Sequence, residues 1–215
     1  MSSPRTQAER LAMTRRALLA AARILFAKQG YEAAATEEIV RRAQVTRGAL
    51  YHHFADKRAL FDAVASEVAR EIAQRIEAAT PMTDPLQALI AGSMAFLDAC
   101  LDPAVRRIYL VDAPSVLGWH RWREIDAPHG VRSLREGVQA MLARRTDRTL
   151  SLEPTTFLLS GALNEAALWI AEAADEEAAR RDMERTVRAL IERLFATAGA
   201  PPRSPPRSPR VRARA

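Results

Sequence analysis

Several side chains in this sequence belong to types that do covalent or acid–base chemistry. Cys100 and Ser115 could be nucleophiles, His120 and Glu124 stand one helical turn apart, and His52 is followed directly by His53. None sits in a pattern that would make it work. There is no nucleophile elbow, no glycine-rich phosphate loop and no metal-ligand spacing. On a helix, adjacent histidines point about 100° apart, and no carboxylate or Cys stands at ligand distance from this pair. Catalysis is the distant alternative, and neither a metal nor a cofactor is expected. The chemistry that the sequence does offer is contact with a polyanion, through a basic N-terminal stretch.

Charge is laid out to match. Residues 1–60 carry eleven Lys/Arg against five Asp/Glu, residues 61–200 carry 16 against 21, and residues 201–215 carry five Arg and no acid. A basic N-terminal module beside an acidic body predicts that only the first part meets a polyanion. The lone Cys100 excludes an internal disulfide and a Cys-cluster zinc site, which fits a reducing, cytoplasmic setting. Residues 1–10 lack the apolar stretch of a signal peptide, and no window approaches 18 apolar residues, so neither export nor a membrane partner is expected.

The elements that must position the basic stretch are all helical. Leu11, Ala17, Leu18, Ala21, Ile24, Leu25 and Ala27 repeat at helical spacing over residues 7–28, with Gly30 as the stop. Thr36 is read as the cap of a short second helix, with Glu37 and Glu38 in its first turn and Ile39, Val40 and Ala43 on one face. Gln44 and Val45 make the turn. Thr46 caps a third helix running to about His53, with Leu50, Tyr51 and Phe54 available to the core. Asp56 caps a long fourth helix whose inward stripe is Leu60, Phe61, Val64, Val68 and Ile72, and Thr80-Pro81 ends it.

Further helices are expected over residues 84–101, 103–112, 131–145, 154–173 and 176–198, and no strand pattern appears. Residues 113–130, which hold Trp119 and Trp122, read as the least regular part. From residue 199 the Pro/Arg/Ser tail has almost nothing to bury and reads as disordered, with no role assigned beyond weak attraction to DNA. The fold class is all-α: a helix-turn-helix domain over residues 1–55, then a helical body over residues 56–198.

The pattern Thr36, Ile39, Ala43, Val45-Thr46, Gly48, Leu50-Tyr51, His53-Phe54 and Lys57, ahead of a long helix, resembles the DNA-binding module of the TetR family of transcriptional repressors. The match covers about residues 10–60. Independently of it, Ala43 is small where two helices cross, Val45 plugs the turn, and Thr46 leaves a helix N-terminus facing outward. Gly48 keeps the outward face slim, where an ordinary surface helix would lose about 1 kcal/mol to a glycine. The resemblance implies that Thr36 touches a phosphate, that Arg47, Gly48 and Ala49 face bases, that Tyr51 and His52 contact the DNA backbone, and that Lys57 holds another phosphate. Arg47 could pair with a guanine edge or only with a phosphate. Two positions depart from the family habit, Gln44 in place of Gly and Val40 in place of Ala. A left-handed turn at Gln44 costs roughly 1–2 kcal/mol, which a packed module absorbs.

For the body the resemblance implies only a domain that forms a homodimer and binds a small, largely apolar effector. Phe157, Gly161 and Leu168, followed by Met183, Val187, Leu190, Ile191 and Leu194, form apolar stripes suited to a four-helix interface or to internal packing. The pocket is sought among Phe96, Cys100, Tyr109, Trp119, Trp122, Asn164 and Trp169, with Asp112, His120, Glu124, His129 and Glu165 as possible polar elements. A two-fold dimer would read an inverted-repeat operator with half-sites about 34–36 Å apart, or a multiple of that spacing. Ligand binding would relieve repression through the fourth helix. An activator of the same fold, or a DNA-binding regulator without a ligand, is the alternative.

Overall fold

The computed structural model describes residues 6–80, 84–147 and 149–196, which form helices and no strand. The basic tail and the break at Pro81 lie outside the described residues. Helix α1, Gln7–Ala33, opens on a reciprocal cap. The Glu9 N–H donates to Thr6 Oγ1 at 3.2 Å, and the Thr6 N–H donates to Glu9 Oε2 at 2.8 Å. Its regular course stops at Gly30, where φ is 82° and ψ 169°, a region essentially reserved for glycine.

Helices α2 (Thr36–Ala43) and α3 (Arg47–His53) follow, joined through Gln44 at φ 55° and ψ 41°. The left-handed turn therefore falls on the residue where the sequence placed it. The Gln44 N–H donates to the Arg41 carbonyl and the Val45 N–H to the Val40 carbonyl, which closes the end of α2. One expectation is corrected here. Ala35, not Thr36, is the cap of α2 and offers no side-chain hydrogen bond; Thr36 is the first helical residue and its hydroxyl donates to Glu37 Oε2.

Helix α4 (Lys57–Ala79) starts on Asp56, whose carboxylate accepts from the Ala59 N–H at 2.6 Å. Its stripe runs from Leu60 and Phe61 through Val64, Val68 and Ile72 to Ile76, all buried. The first turns of α4 pack on the N-terminal helices: the Phe61 ring meets Phe26 edge-on at 5.0 Å and Tyr31 at 5.1 Å. The buried core thus runs without a break across residue 55. Two-pronged ion pairs flank the stripe, Arg23 to Glu71 from α1, and Arg121 to Asp62 at 2.6 and 3.0 Å from the body.

The body contains α5 (Pro85–Leu101), α6 (Pro103–Arg106), a π-turn at Arg107–Asp112, α7 (Ala113–Leu117), α8 (Trp119–Asp126), α9 (Gly130–Leu142), α10 (Leu152–Glu172) and α11 (Glu176–Phe195). The expected irregular stretch 113–130 is instead mostly helical, in two short pieces. Pro114 sits in the first turn of α7, where its missing N–H costs nothing, and Gly118 at φ 83° lets the chain turn into α8. Gly and Pro punctuate helices here and do not dissolve them.

The N-terminal module and the body are tied at Gly30. Arg107 lies across it so closely that a Cβ there would come within 2.6 Å of Nη2, and the next N–H, that of Tyr31, donates to Asp112 Oδ2 at 2.9 Å. Gly30→Ala combines a glycine-only backbone with that clash. Urea unfolding should find it less stable by about 1–3 kcal/mol.

Candidate nucleic-acid interface and ligand cavity

Helix α3 has seven residues and one buried anchor, Leu50, with Phe54 closing its C-terminal end against the core. That anchoring turns Arg47, Gly48, Tyr51 and His52 to the outside, while Ala49 is half-buried. The Ala49 N–H donates to Thr46 Oγ1 at 3.2 Å, so Thr46 does cap α3 and sets its N-terminal end outward. Arg47 is 67% exposed, lies 3.4 Å from Glu37 and 5.6 Å from the Tyr51 ring centre, and has no buried partner to leave. Lys57 donates to the Glu32 carbonyl at 3.2 Å and stands 4.4 Å from the Tyr31 ring centre, at the edge of the same face. Open space surrounds Gly48: an added Cβ would meet only Thr46 Oγ1, at 3.9 Å. Among the described residues, no cluster of His, Cys, Asp and Glu could hold a metal ion.

The second feature is a cavity of about 250 Å³ enclosed by α4, α5, α8, α9 and α10. Leu89, Phe96, Val131, Leu134 and Leu163 supply apolar walls, Ser93, Ser160 and Asn164 neutral polar groups, and Glu77, Asp126 and Glu136 carboxylates. Of the residues named from sequence, Phe96 and Asn164 line it. Cys100, Tyr109 and Trp122 are buried beyond its wall, and Trp119 and Trp169 lie on the surface, 62% and 49% exposed. None of Asp112, His120, Glu124, His129 and Glu165 lines it; the carboxylates that do were not singled out. Asp126 could have been suspected only as an acid one helical turn from Trp122, the buried aromatic of its own helix.

Asp126 joins the cavity to the packed aromatics. Tyr109, in the π-turn, donates its hydroxyl to Asp126 Oδ1 at 2.5 Å, and Arg123 Nη1 stands 3.8 Å from Oδ2. Arg123 gives its hydrogen bond to Ser160 Oγ at 3.0 Å, with its guanidinium 4.7, 4.8 and 5.5 Å from the ring centres of Trp119, Trp122 and Phe157. Burial pushes the Asp126 carboxyl above its ordinary range, against the pull of the Tyr109 hydrogen bond and the Arg123 charge. It also pushes the Tyr109 hydroxyl well up, and the Asp126 charge adds to this.

Residues 18–64 match the family described as bacterial regulatory proteins, tetR family, and residues 86–194 match the tetracyclin repressor-like C-terminal domain. A crystallised TetR-family transcriptional regulator from Pectobacterium atrosepticum is 31% identical, with a TM-score of 0.72 over 90% of this chain and 99% of that one. The chain belongs to the TetR family. Relatives of this family include the Tn10 TetC protein of Escherichia coli, 32% identical over 58% of this chain and 64% of that protein. The A-factor receptor protein of Streptomyces griseus is 36% identical over 55% of this chain and 42% of its own length. In both alignments the chain spans less than two thirds of the relative. The TetR matches place it among regulators and not enzymes.

Helices α10 and α11 both carry exposed apolar side chains. Helix α10 is apolar on two sides: Leu159, Leu163, Ala166 and Ile170 face inward, while Phe157, Leu158 and Trp169 face out, Leu158 being 75% exposed. On α11, Val187 and Ile191 are buried within the subunit, Met183 and Leu194 are half-buried, and Leu190 is 49% exposed. Gly161 and Leu168 are half-buried, and a Cβ at Gly161 would meet nothing within 4 Å. No single described helix is long and apolar enough to cross a membrane.

Two outcomes follow from this geometry. A carboxyl whose folded pKa lies above its unfolded one favours the native state most below the unfolded value, and that advantage is lost as pH rises through the folded value. Asp126→Asn abolishes this titration, so urea unfolding from about pH 4 to about pH 7 should find wild-type stability falling relative to the variant as pH rises; a constant difference would contradict it. Gly48→Ala should raise stability by up to about 1 kcal/mol, since a helical glycine in open space is replaced by a better helix former.

Proposed function

We propose that the protein is a homodimeric repressor that binds an inverted-repeat operator and releases it when a small, largely apolar effector occupies the cavity. The observation that carries the reading is the exposed N-terminal end of α3, capped by Thr46 and presenting Arg47 and Gly48 with nothing packed over them. Such an end can enter a major groove. Arg47, Gly48 and Ala49 read base edges, while Thr36, Thr46, Tyr51, His52 and Lys57 hold phosphates. Thr36 suits this as well from the first turn of α2 as it would from the cap, since its N–H and hydroxyl still lie at a helix N-terminus.

In this reading residues 1–55, completed by the first turns of α4, read DNA, and the helices from α5 to α11 hold the effector and the second subunit. The cellular setting is the cytoplasm, where operator and metabolites are both at hand. The outward faces of α10 and α11, with Phe157, Leu158, Trp169 and Leu190, pair with their counterparts in a second copy. Exposed aromatic and leucine side chains grouped on one face are what such an interface needs. Effector release works by population shift: the ligand favours a setting of α4 in which the two recognition helices no longer match successive major grooves.

Selection of operators from random DNA by the purified protein should return an inverted repeat, and recovery of unrelated sequences would sink the reading. On that operator Arg47→Ala should cost about 1–3 kcal/mol of discrimination at one base pair if Arg47 reads a guanine, measured by competition gel shift. The double variant Leu158→Glu with Trp169→Glu should sediment as a monomer with unchanged helicity and lose operator binding. A wild-type monomer at micromolar concentration would remove the dimer.

A further inference from the structure

The cavity has a sign of charge as well as a size. Three carboxylates line it, Asp126 inside and Glu77 and Glu136 nearer solvent, and among the described lining residues there is no Lys, Arg or His. Cations stand behind the wall and do not line it, Arg123 and His129 both acting on Asp126 from there. Arg132 pairs with Glu77 from the outer surface at 3.1 Å, Glu136 has no ion-pair partner among the described residues, and Arg123 is held by Ser160 and three aromatic rings at 3.8 Å from Asp126.

Glycine brings the backbone of α9 close to the buried carboxylate. A Cβ at Gly130 would come within 2.9 Å of Asp126 Oδ1, so the missing side chain lets the first turn of α9 settle against the carboxylate at the cavity wall, where the Val131 N–H also favours its charged form. Gly137 and Gly92 thin the opposite walls, where a Cβ would meet Leu89 at 3.0 Å and Thr80 at 3.3 Å. At about 250 Å³ the space is smaller than the roughly 300–1,000 Å³ of drug-sized sites, which limits the occupant to a compact molecule.

We infer that the ligand of this cavity is a small organic cation, an amine or amidine on a compact apolar body, with its charged end against Asp126 and its body between Leu89, Phe96, Val131 and Leu163. The inference rests on the effector-binding reading of the cavity. A desolvated carboxylate is compensated best by a charge that hydrogen-bonds to it, and Arg123 does not do so in this arrangement. An anionic ligand would meet carboxylates and no lining cation in a partly apolar space. Ser93, Ser160 and Asn164 can accept the remaining N–H groups.

Three matched probes test this on the full-length protein by isothermal titration calorimetry: 3-phenylpropylamine, 3-phenylpropan-1-ol and 3-phenylpropanoate. The amine should bind at least about tenfold more tightly than the alcohol, with the carboxylate weakest. Asp126→Asn keeps an acceptor for Tyr109 and should erase most of that preference. The exposed pair Glu77→Gln with Glu136→Gln, which disturbs no packing, should reduce it by about two- to threefold and stands in if Asp126→Asn does not fold. Equal or tighter binding of the alcohol or carboxylate, binding of none of the three, or an amine preference untouched by the variants would each overturn the cation assignment. The same probes added to the operator complex separate the two readings. An amine that binds selectively without releasing DNA supports the ligand class and removes the effector role; release by the neutral or anionic probe does the reverse.

Discussion

The apolar stripe along α4 is the constraint on which the rest of the molecule depends. Its N-terminal residues, Leu60 and Phe61, complete the core of the small DNA-facing module, and near its C-terminal end Ile76 reaches the cavity between the body helices. Each fully buried side chain of this size contributes about 1.5–3 kcal/mol, so neither end can be withdrawn cheaply from its neighbours. A rigid rod shared by two cores makes the position of one depend on the packing of the other. Arg23–Glu71 and Arg121–Asp62 fix the rod from opposite sides, and Arg58, at its start, donates to the Val116 and Leu117 carbonyls at the open end of α7.

A second connection runs outside α4. Asp126 at the cavity wall accepts from Tyr109 in the π-turn, and Asp112 at the end of the same turn accepts from the Tyr31 N–H beside Gly30. A π-turn holds one residue more per hydrogen-bonded loop than an α-helix, and such turns are frequent where a helix does functional work. Cavity wall and DNA-facing module are therefore joined by hydrogen bonds as well as by hydrophobic packing. The aromatic cluster around Arg123 extends the same wall to the outward face of α10. Three surfaces with different proposed partners thus meet within a few residues of Asp126.

How much of this could be read from sequence depended on whether a residue's role was local. The caps at Thr46 and Asp56, the stop at Gly30 and the left-handed turn at Gln44 are decided within four residues of the chain, and the structure has them where the sequence puts them. The α4 stripe was legible because one face is apolar and the other charged. Helix α10 was not, because Phe157 and Leu158 point out while Leu159 and Leu163 point in, and periodicity cannot sort two apolar faces. Thr36 misled because Thr suits both the cap and the first turn. The cavity eluded a search for large aromatics for a physical reason: empty space forms where side chains are small or absent, as at Ala88, Gly92, Gly130 and Gly137, and those matter only once five helices have come together.

Cys100 is fully enclosed on α5, behind the cavity wall, and burial together with the Asp126 charge pushes its thiol up to about 12. At neutral pH its thiolate is scarce, too little for ready reaction with peroxides, electrophiles or soft metals. Oxidative stress is thus a poor messenger for this protein through its only sulfhydryl. The same silence is useful at the bench. A cysteine introduced on the exposed face of α3 or α10 would be the single reactive thiol in the chain, so a dye or spin label could report on one surface at a time without first removing the native residue.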